Sequence, residues 1–142
     1  MAVDTLPTEI HLEIVTPEHQ VVRDSVTGVT VPGKEGEMGI LPGHAPLLSL
    51  LKVGELSYVR GKLTHYLCIN WGFVEVLPDR VIILAQTAER AEEIDLDRAR
   101  KAKERAEERL RKVSDLEVDL ERARVALERS LVRIQVATKA QK

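Results

Sequence analysis

The side chains that could do chemistry in this 142-residue chain are few. His44 sits in the Gly/Pro-dense run Pro32-Gly33-Lys34-Glu35-Gly36-Glu37-Met38-Gly39-Ile40-Leu41-Pro42-Gly43-His44-Ala45-Pro46. As a general base or metal ligand it lacks company, because no other His or Cys stands at ligand spacing around it. The glycines do not follow a dinucleotide or Walker spacing, and no Lys-Ser/Thr opens a helix after them, so a phosphate cradle is not expected there. The single Cys68 excludes an internal disulfide and reads as a small buried hydrophobe in a strand. No nucleophile, base and acid converge, so neither a catalytic residue nor a metal site is expected. Binding and mechanical roles remain.

The elements that position these residues divide at Pro78. All eight Gly, all six Pro, all four His, Cys68 and every aromatic lie at or before it, and the 64 positions after it hold none. Turn-rich sequence with short apolar runs suits an all-β fold. An unbroken run of Ala, Leu, Glu, Arg and Lys suits long helices. One core of ordinary size fits this length, so the reading is a β + α chain: a β-sandwich over residues 1–88 followed by an antiparallel two-helix hairpin over 89–142.

Within the first part, Ile10, Leu12 and Ile14 alternate with His11 and Glu13, the period of a half-buried strand. Further strands are expected at Val21-Val22, Val26 to Val31, Leu47 to Val53, Leu56 to Val59, Leu63 to Ile69, Phe73 to Leu77 and Val81 to Ala85. The last is apolar throughout, which predicts a central strand covered on both faces. The run from Pro32 to Pro46 reads as a shaped loop.

Within the second part, 28 of 54 residues are charged and none breaks a helix. Leu96, Ala99, Ala102, Ala106, Leu110 and Val113 form one seam, and Leu120, Leu127 and Ile134 with Ala123, Ser130 and Ala137 form another. Asp95 is placed to cap the first helix. Ser114 and Glu117 make a capping box for the second, with the connection near Val113 to Asp115. Glu107 to Arg111, Glu108 to Lys112 and Asp97 to Lys101 are spaced for surface ion pairs. Seams this rich in Ala bury little area, so the same sequence suits either a closed hairpin, docked on the sandwich, or one rod of roughly 75 Å.

Charge excludes some partners. Residues 1–88 carry 10 acids and 6 bases, and 89–142 carry 13 acids and 15 bases, interleaved rather than clustered. That is no nucleic-acid footprint. No apolar run reaches the roughly 18 residues of a membrane span, so direct membrane insertion is not expected and any membrane association comes through a partner.

The run from Gly33 to Leu48, then Gly72-Phe73-Val74-Glu75-Val76, Leu84-Ala85-Gln86-Thr87-Ala88-Glu89 and Asp95-Leu96-Asp97-Arg98-Ala99, in this order, resembles the epsilon subunit of the bacterial F-type rotary ATP synthase. Asn70-Trp71 departs from it where small residues would stand. The resemblance implies a non-catalytic central-stalk subunit, peripheral on the cytoplasmic face of the bacterial membrane, bound to the gamma subunit and the c-subunit ring. It implies that Glu37 faces the c ring and that His44 and Ser49 lie toward gamma. It also implies that the helices, when extended, reach the catalytic alpha/beta head and inhibit ATP hydrolysis, with Arg122, Arg124, Arg129 and Arg133 available to acidic surfaces.

No cofactor is obligatory, but some members bind ATP as a regulatory ligand in the folded hairpin. By position that site comprises Glu89, Ile94, Asp95, Arg98, Ala99, Arg105, Arg129 and Arg133. Guanidinium forks from both helices suit a triphosphate. Asp95 and Arg98 read equally well as an ordinary cap and surface pair. The competing readings are a free-standing ATP-sensing module, which would not bind gamma, and a small β-barrel enzyme, for which the residues are missing.

Overall fold

The computed structural model describes residues 6–112 and 119–140. Eight strands precede two helices: β1 Ile10–Val15, β2 Gln20–Val26, β3 Gly28–Gly33, β4 Gly36–Ile40, β5 Leu47–Leu51, β6 Gly54–Arg60, β7 Leu63–Leu77, β8 Arg80–Arg90, α1 Leu96–Arg111 and α2 Leu120–Lys139. The strands run in the order β2-β1-β8-β7-β5-β3-β4, with β6 pairing both β3 and β7. All pairings are antiparallel except β1 with β8. Folded over, this sheet is a β-sandwich, and the expected β + α class holds.

The sandwich core is aliphatic. Ile10, Leu12 and Ile14 from β1 meet Val29 and Val31 from β3, Leu56 from β6, Leu67, Ile69, Val74 and Val76 from β7, and Val81 and Ile83 from β8. The alternation read in β1 therefore marks its core face.

Strand β7 departs from expectation. Two separate runs were read at Leu63 to Ile69 and Phe73 to Leu77, yet one 15-residue strand passes through Asn70-Trp71-Gly72. Its first half pairs with β6 and its second with β5. Leu67 and Ile69 face the core before the junction, Val74 and Val76 after it, so the buried parity changes at Trp71. Trp71 itself has φ 48°, the only non-glycine in the left-handed region among the described residues. That residue lets one strand turn the corner between the two layers, as bent strands do in sandwiches. Gly72 follows because a Cβ there would fall on the Leu84 carbonyl.

Other expectations are corrected. The run from Pro32 to Pro46 is not one loop: Gly33 pairs with Gly36 across a two-residue turn, and β4 occupies Gly36–Ile40 before the loop resumes. The run Val26 to Val31 is broken at Thr27 into β2 and β3. Strand β8 is central, between β1 and β7, but Leu84 is 53% exposed, so it is not covered on both faces. It also continues to Arg90, two residues past the expected domain boundary.

The helices pack as the small-residue seams predict. Ala99 and Ala106 of α1 and Ala123, Ser130 and Ala137 of α2 are buried. The Ser130 hydroxyl donates to the Ala126 carbonyl at 2.9 Å, which satisfies it inside the seam. Asp95 caps α1 through the Arg98 amide, as expected, and Asp119 caps α2 through the Arg122 amide. The capping box at Ser114 and Glu117 and the connection near Val113 to Asp115 lie outside the described residues. Of the expected surface pairs, Glu108 meets Lys112, and Asp97 meets Arg100 rather than Lys101.

The hairpin is closed and docked through α2, which rests on β6, β7 and the short 3-10 turn Ala91–Glu93. Its seat is a second apolar cluster of Cys68, Ala91, Ile94, Val136 and Ala137. No helix among the described residues is long and apolar enough to cross a membrane.

Candidate functional site: an arginine cleft and an uncovered sheet face

Among the described residues, two surfaces bear on the expected partners and ligand. The first is a cleft of about 350 Å3 between the helices, lined by Ala102, Arg105, Ala106 and Arg109 of α1 and Ala126, Arg129, Ser130 and Arg133 of α2. The arginines stand one helical turn apart on each helix, so their forks face one groove over a floor of Ala and Ser. Four guanidiniums around a shallow cleft suit a polyanion.

The residues expected around a nucleotide are only partly brought together. Arg105, Arg129 and Arg133 line the cleft, and Arg109 joins them without having been anticipated. Its spacing of four from Arg105 was the available signal. Glu89 meets the cleft indirectly: Arg133 Nε donates to its Oε1 at 2.9 Å and Nη2 to its Oε2 at 3.0 Å. Ile94 packs in the second apolar cluster and Ala99 is fully buried in the helical seam. Asp95 is committed to its cap, and Arg98 is exposed at the start of α1, outside the cleft lining.

The second place is the outer face of the sheet. Leu50 pairs with Phe73, Phe73 with Leu84, and Leu84 with Val15, giving an apolar row across β5, β7, β8 and β1. Leu50, Phe73 and Leu84 are 44%, 51% and 53% exposed, with Leu48 and Trp71 beside them. Trp71, Phe73, Leu84, Val15 and Pro17 line an almost wholly apolar hollow of about 600 Å3 on this face. No helix residue lines it. The strictly apolar β8 run is explained here: its outward residues belong to this face.

Of the remaining expected contacts, Glu37 is exposed on β4, paired with Pro32 near the hairpin turn. His44 is half-buried in the loop before β5, and its Nδ1 lies 2.7 Å from the Ala45 carbonyl. Ser49 stands opposite buried Val74, so its neighbours Leu48 and Leu50 take the exposed face instead. Cys68 is buried beneath α2, and desolvation, helped by Glu89 and opposed by Arg133, pushes its thiol pKa up to about 12.

Comparison with known proteins decides the family. Residues 9–91 match the model of the ATP synthase delta/epsilon chain β-sandwich domain, and residues 92–138 match that of its long α-helix domain. The chain belongs to the ATP synthase delta/epsilon family. Within this family it is of the epsilon type. It is 48% identical over 129 residues to ATP synthase epsilon chain 2 of Syntrophotalea carbinolica, covering 91% of this chain and 94% of that one. It is 58% identical over 98 residues to the ATP synthase epsilon chain of Koribacter versatilis, 69% of each. Among solved structures, it aligns with a chain of the Euglena gracilis mitochondrial ATP synthase (OSCP/F1/c-ring) at a TM-score of 0.79 and 27% identity. That alignment covers 96% of this chain and 82% of the other. The family boundary between residues 91 and 92 falls at the 3-10 turn after β8.

Proposed function

We propose that this epsilon-family chain is a non-catalytic central-stalk subunit of a proton-translocating F-type ATP synthase. The sandwich joins the gamma subunit to the c ring, peripheral to the membrane on its cytoplasmic side. The helices restrain ATP hydrolysis when they leave the sandwich and reach the alpha/beta head. ATP held in the arginine cleft keeps them folded.

The observation that carries this reading is the apolar row Leu50, Phe73, Leu84 and Val15. A contiguous apolar face on a small chain, left uncovered by its own helices, marks a protein partner. Gamma is the partner that family membership supports for it. Leu48, Leu50, Phe73 and Trp71 supply the aromatic and aliphatic anchors typical of interface centres. His44 stands in the loop leading into β5, the strand that carries Leu48 and Leu50. Glu37, on the separate β3–β4 hairpin, is free to meet the polar loops of the c ring, where a rim carboxylate gives register and orientation rather than affinity.

The test is co-elution of the purified chain with isolated gamma in gel filtration. The parent chain is expected to form a one-to-one complex, and Phe73→Asp to elute alone with its circular dichroism unchanged. Co-elution of the variant with gamma, or failure of the parent to bind, contradicts the reading.

A further inference from the structure

Trp71 combines three properties that the free chain does not need. Its backbone lies in the left-handed region at φ 48°, which a residue with a Cβ adopts only at a cost and glycine adopts freely. Its indole is 43% exposed on the outer face, although tryptophan is among the most buried residue types on average. It also lines the apolar hollow of about 600 Å3, together with Phe73 and Leu84 of the apolar row and Pro17 of the turn between β1 and β2. The corner of β7 needs only the backbone conformation, which a glycine would supply. The large ring is what the fold leaves unexplained, and strain held at one residue points to a role that offsets it.

The hollow is preformed. Trp71 is fixed by the bend of β7, and Pro17 by its ring and by a doubly closed turn. In that turn the Thr16 amide donates to the His19 carbonyl at 3.0 Å, and the His19 amide donates to Thr16 Oγ1 at 3.3 Å. A rigid concavity gives up little freedom on binding, and this one has no charged side chain among its described lining residues, so it suits an apolar group. It is continuous with the row Leu50, Phe73, Leu84 and Val15, which joins it to the face assigned to gamma.

We propose that this hollow is a socket for one protruding apolar side chain of the gamma subunit, and that Trp71 is the residue that sets how strongly the two chains hold. This rests on the reading of the outer face as the gamma interface. Trp71 then strains the free chain and strengthens its complex. Removing the ring weakens binding without lowering stability, which a merely structural residue would not do.

The experiment is calorimetric titration of isolated gamma into the full chain, comparing the parent with Trp71→Gly, Trp71→Phe, Phe73→Asp and Leu63→Ala, with the melting temperature of each. Trp71→Gly is expected to bind about ten- to thirtyfold more weakly, the order for truncating an aromatic interface residue, at an unchanged or higher melting temperature. Trp71→Phe keeps an aromatic wall and should bind within about threefold of the parent. Leu63 is 67% exposed and lies outside the hollow, so Leu63→Ala controls for apolar surface in general and should bind as the parent does. Trp71 is the only tryptophan of the chain, which gives a second reading on the unaltered protein. Its emission, taken as the difference between the gamma complexes of the parent and of Trp71→Phe, should shift to the blue and escape acrylamide quenching. Parent-like binding by Trp71→Gly, weakening of it only with a fall in melting temperature, equal weakening by Leu63→Ala, or Trp71 emission that gamma leaves unchanged overturns the socket. The face still stands in those cases if Phe73→Asp loses binding. Parent-like binding by Phe73→Asp, or no binding by the parent, overturns the face and the socket together.

Discussion

Lys139 and Glu55, 84 positions apart in the chain, close the last turn of α2 onto the sandwich. The Lys139 ammonium lies 2.8 Å from Oε2 of Glu55 and 4.7 Å from the centre of the Tyr66 ring. The Gln135 amide donates to the same carboxylate at 3.3 Å. With Glu89 and Arg133, this gives the hairpin two polar clamps on either side of buried Val136 and Ala137.

Loss of the Lys139 clamp is expected to lift α2 without unfolding the sandwich. Cys68 lies beneath α2, so its alkylation reports that motion. Lys139→Ala removes a partly exposed ion pair and a cation–π contact, together worth about 1 kcal/mol after solvent screening. Iodoacetamide labelling of Cys68 should accelerate roughly fivefold, with the melting of the sandwich unchanged. An unchanged labelling rate contradicts the clamp.

The same thiol sets a pH dependence. Burial pushes its folded pKa up to about 12, from an ordinary 9.0. An unfolded chain therefore loses this proton from about pH 9, while the folded chain keeps it until about pH 12. The stability from this group is full below pH 9 and is lost as pH rises through that window. Cys68→Ala should abolish this share of the alkaline loss, seen as a smaller drop in urea midpoint between pH 8 and pH 10.5. An identical drop in both chains contradicts the assignment.

The strand corner makes a backbone prediction. Left-handed geometry costs a non-glycine residue about 1–2 kcal/mol, so Trp71→Gly should leave stability unchanged or raise it by up to about 1 kcal/mol. A β-branched residue fits φ 48° worst, and Trp71→Val should lose about 1–2 kcal/mol. Thermal unfolding of the two variants checks this, and equal melting temperatures contradict the strained corner.

In the cleft, Arg109→Ala should weaken ATP binding by about as much as Arg105→Ala, on the order of three- to tenfold, because both arginines line the groove. Arg98→Ala should do less, since Arg98 stands outside it. Calorimetry on the three variants decides, and a larger loss from Arg98→Ala places the nucleotide at the start of α1 instead.

How much of this was legible in the sequence depends on the range of each interaction. The Asp95 cap, the Ala and Ser seams and the β1 alternation were readable because their partners lie within a turn or two, or because periodicity reports the buried face. The Glu55 to Lys139 clamp was not, because neither residue carries a local signature of a partner 84 positions away. Val136 sits off the helical seam and faces the sandwich, so the seam periodicity carries no sign of it. Strand β7 read as two runs because the parity change at Trp71 breaks the period. Arg109 is absent from the family pattern, which takes only Arg98 and Arg105 among the arginines of α1, although its spacing of four from Arg105 is visible in the sequence. Ile94 and Ala99, expected beside a nucleotide, are apolar and packed, which their residue types already favoured.

The most direct measurement is ATP hydrolysis by an F-type synthase stripped of its own epsilon subunit and titrated with this chain. A second titration uses the chain ended at Arg111, whose sandwich core contains no helix residue. Saturable inhibition by the full chain, absent for the shortened one although it still binds gamma, is the result expected of a rotor subunit whose second helix is the brake. Equal inhibition by both chains, or none by the full one, contradicts it.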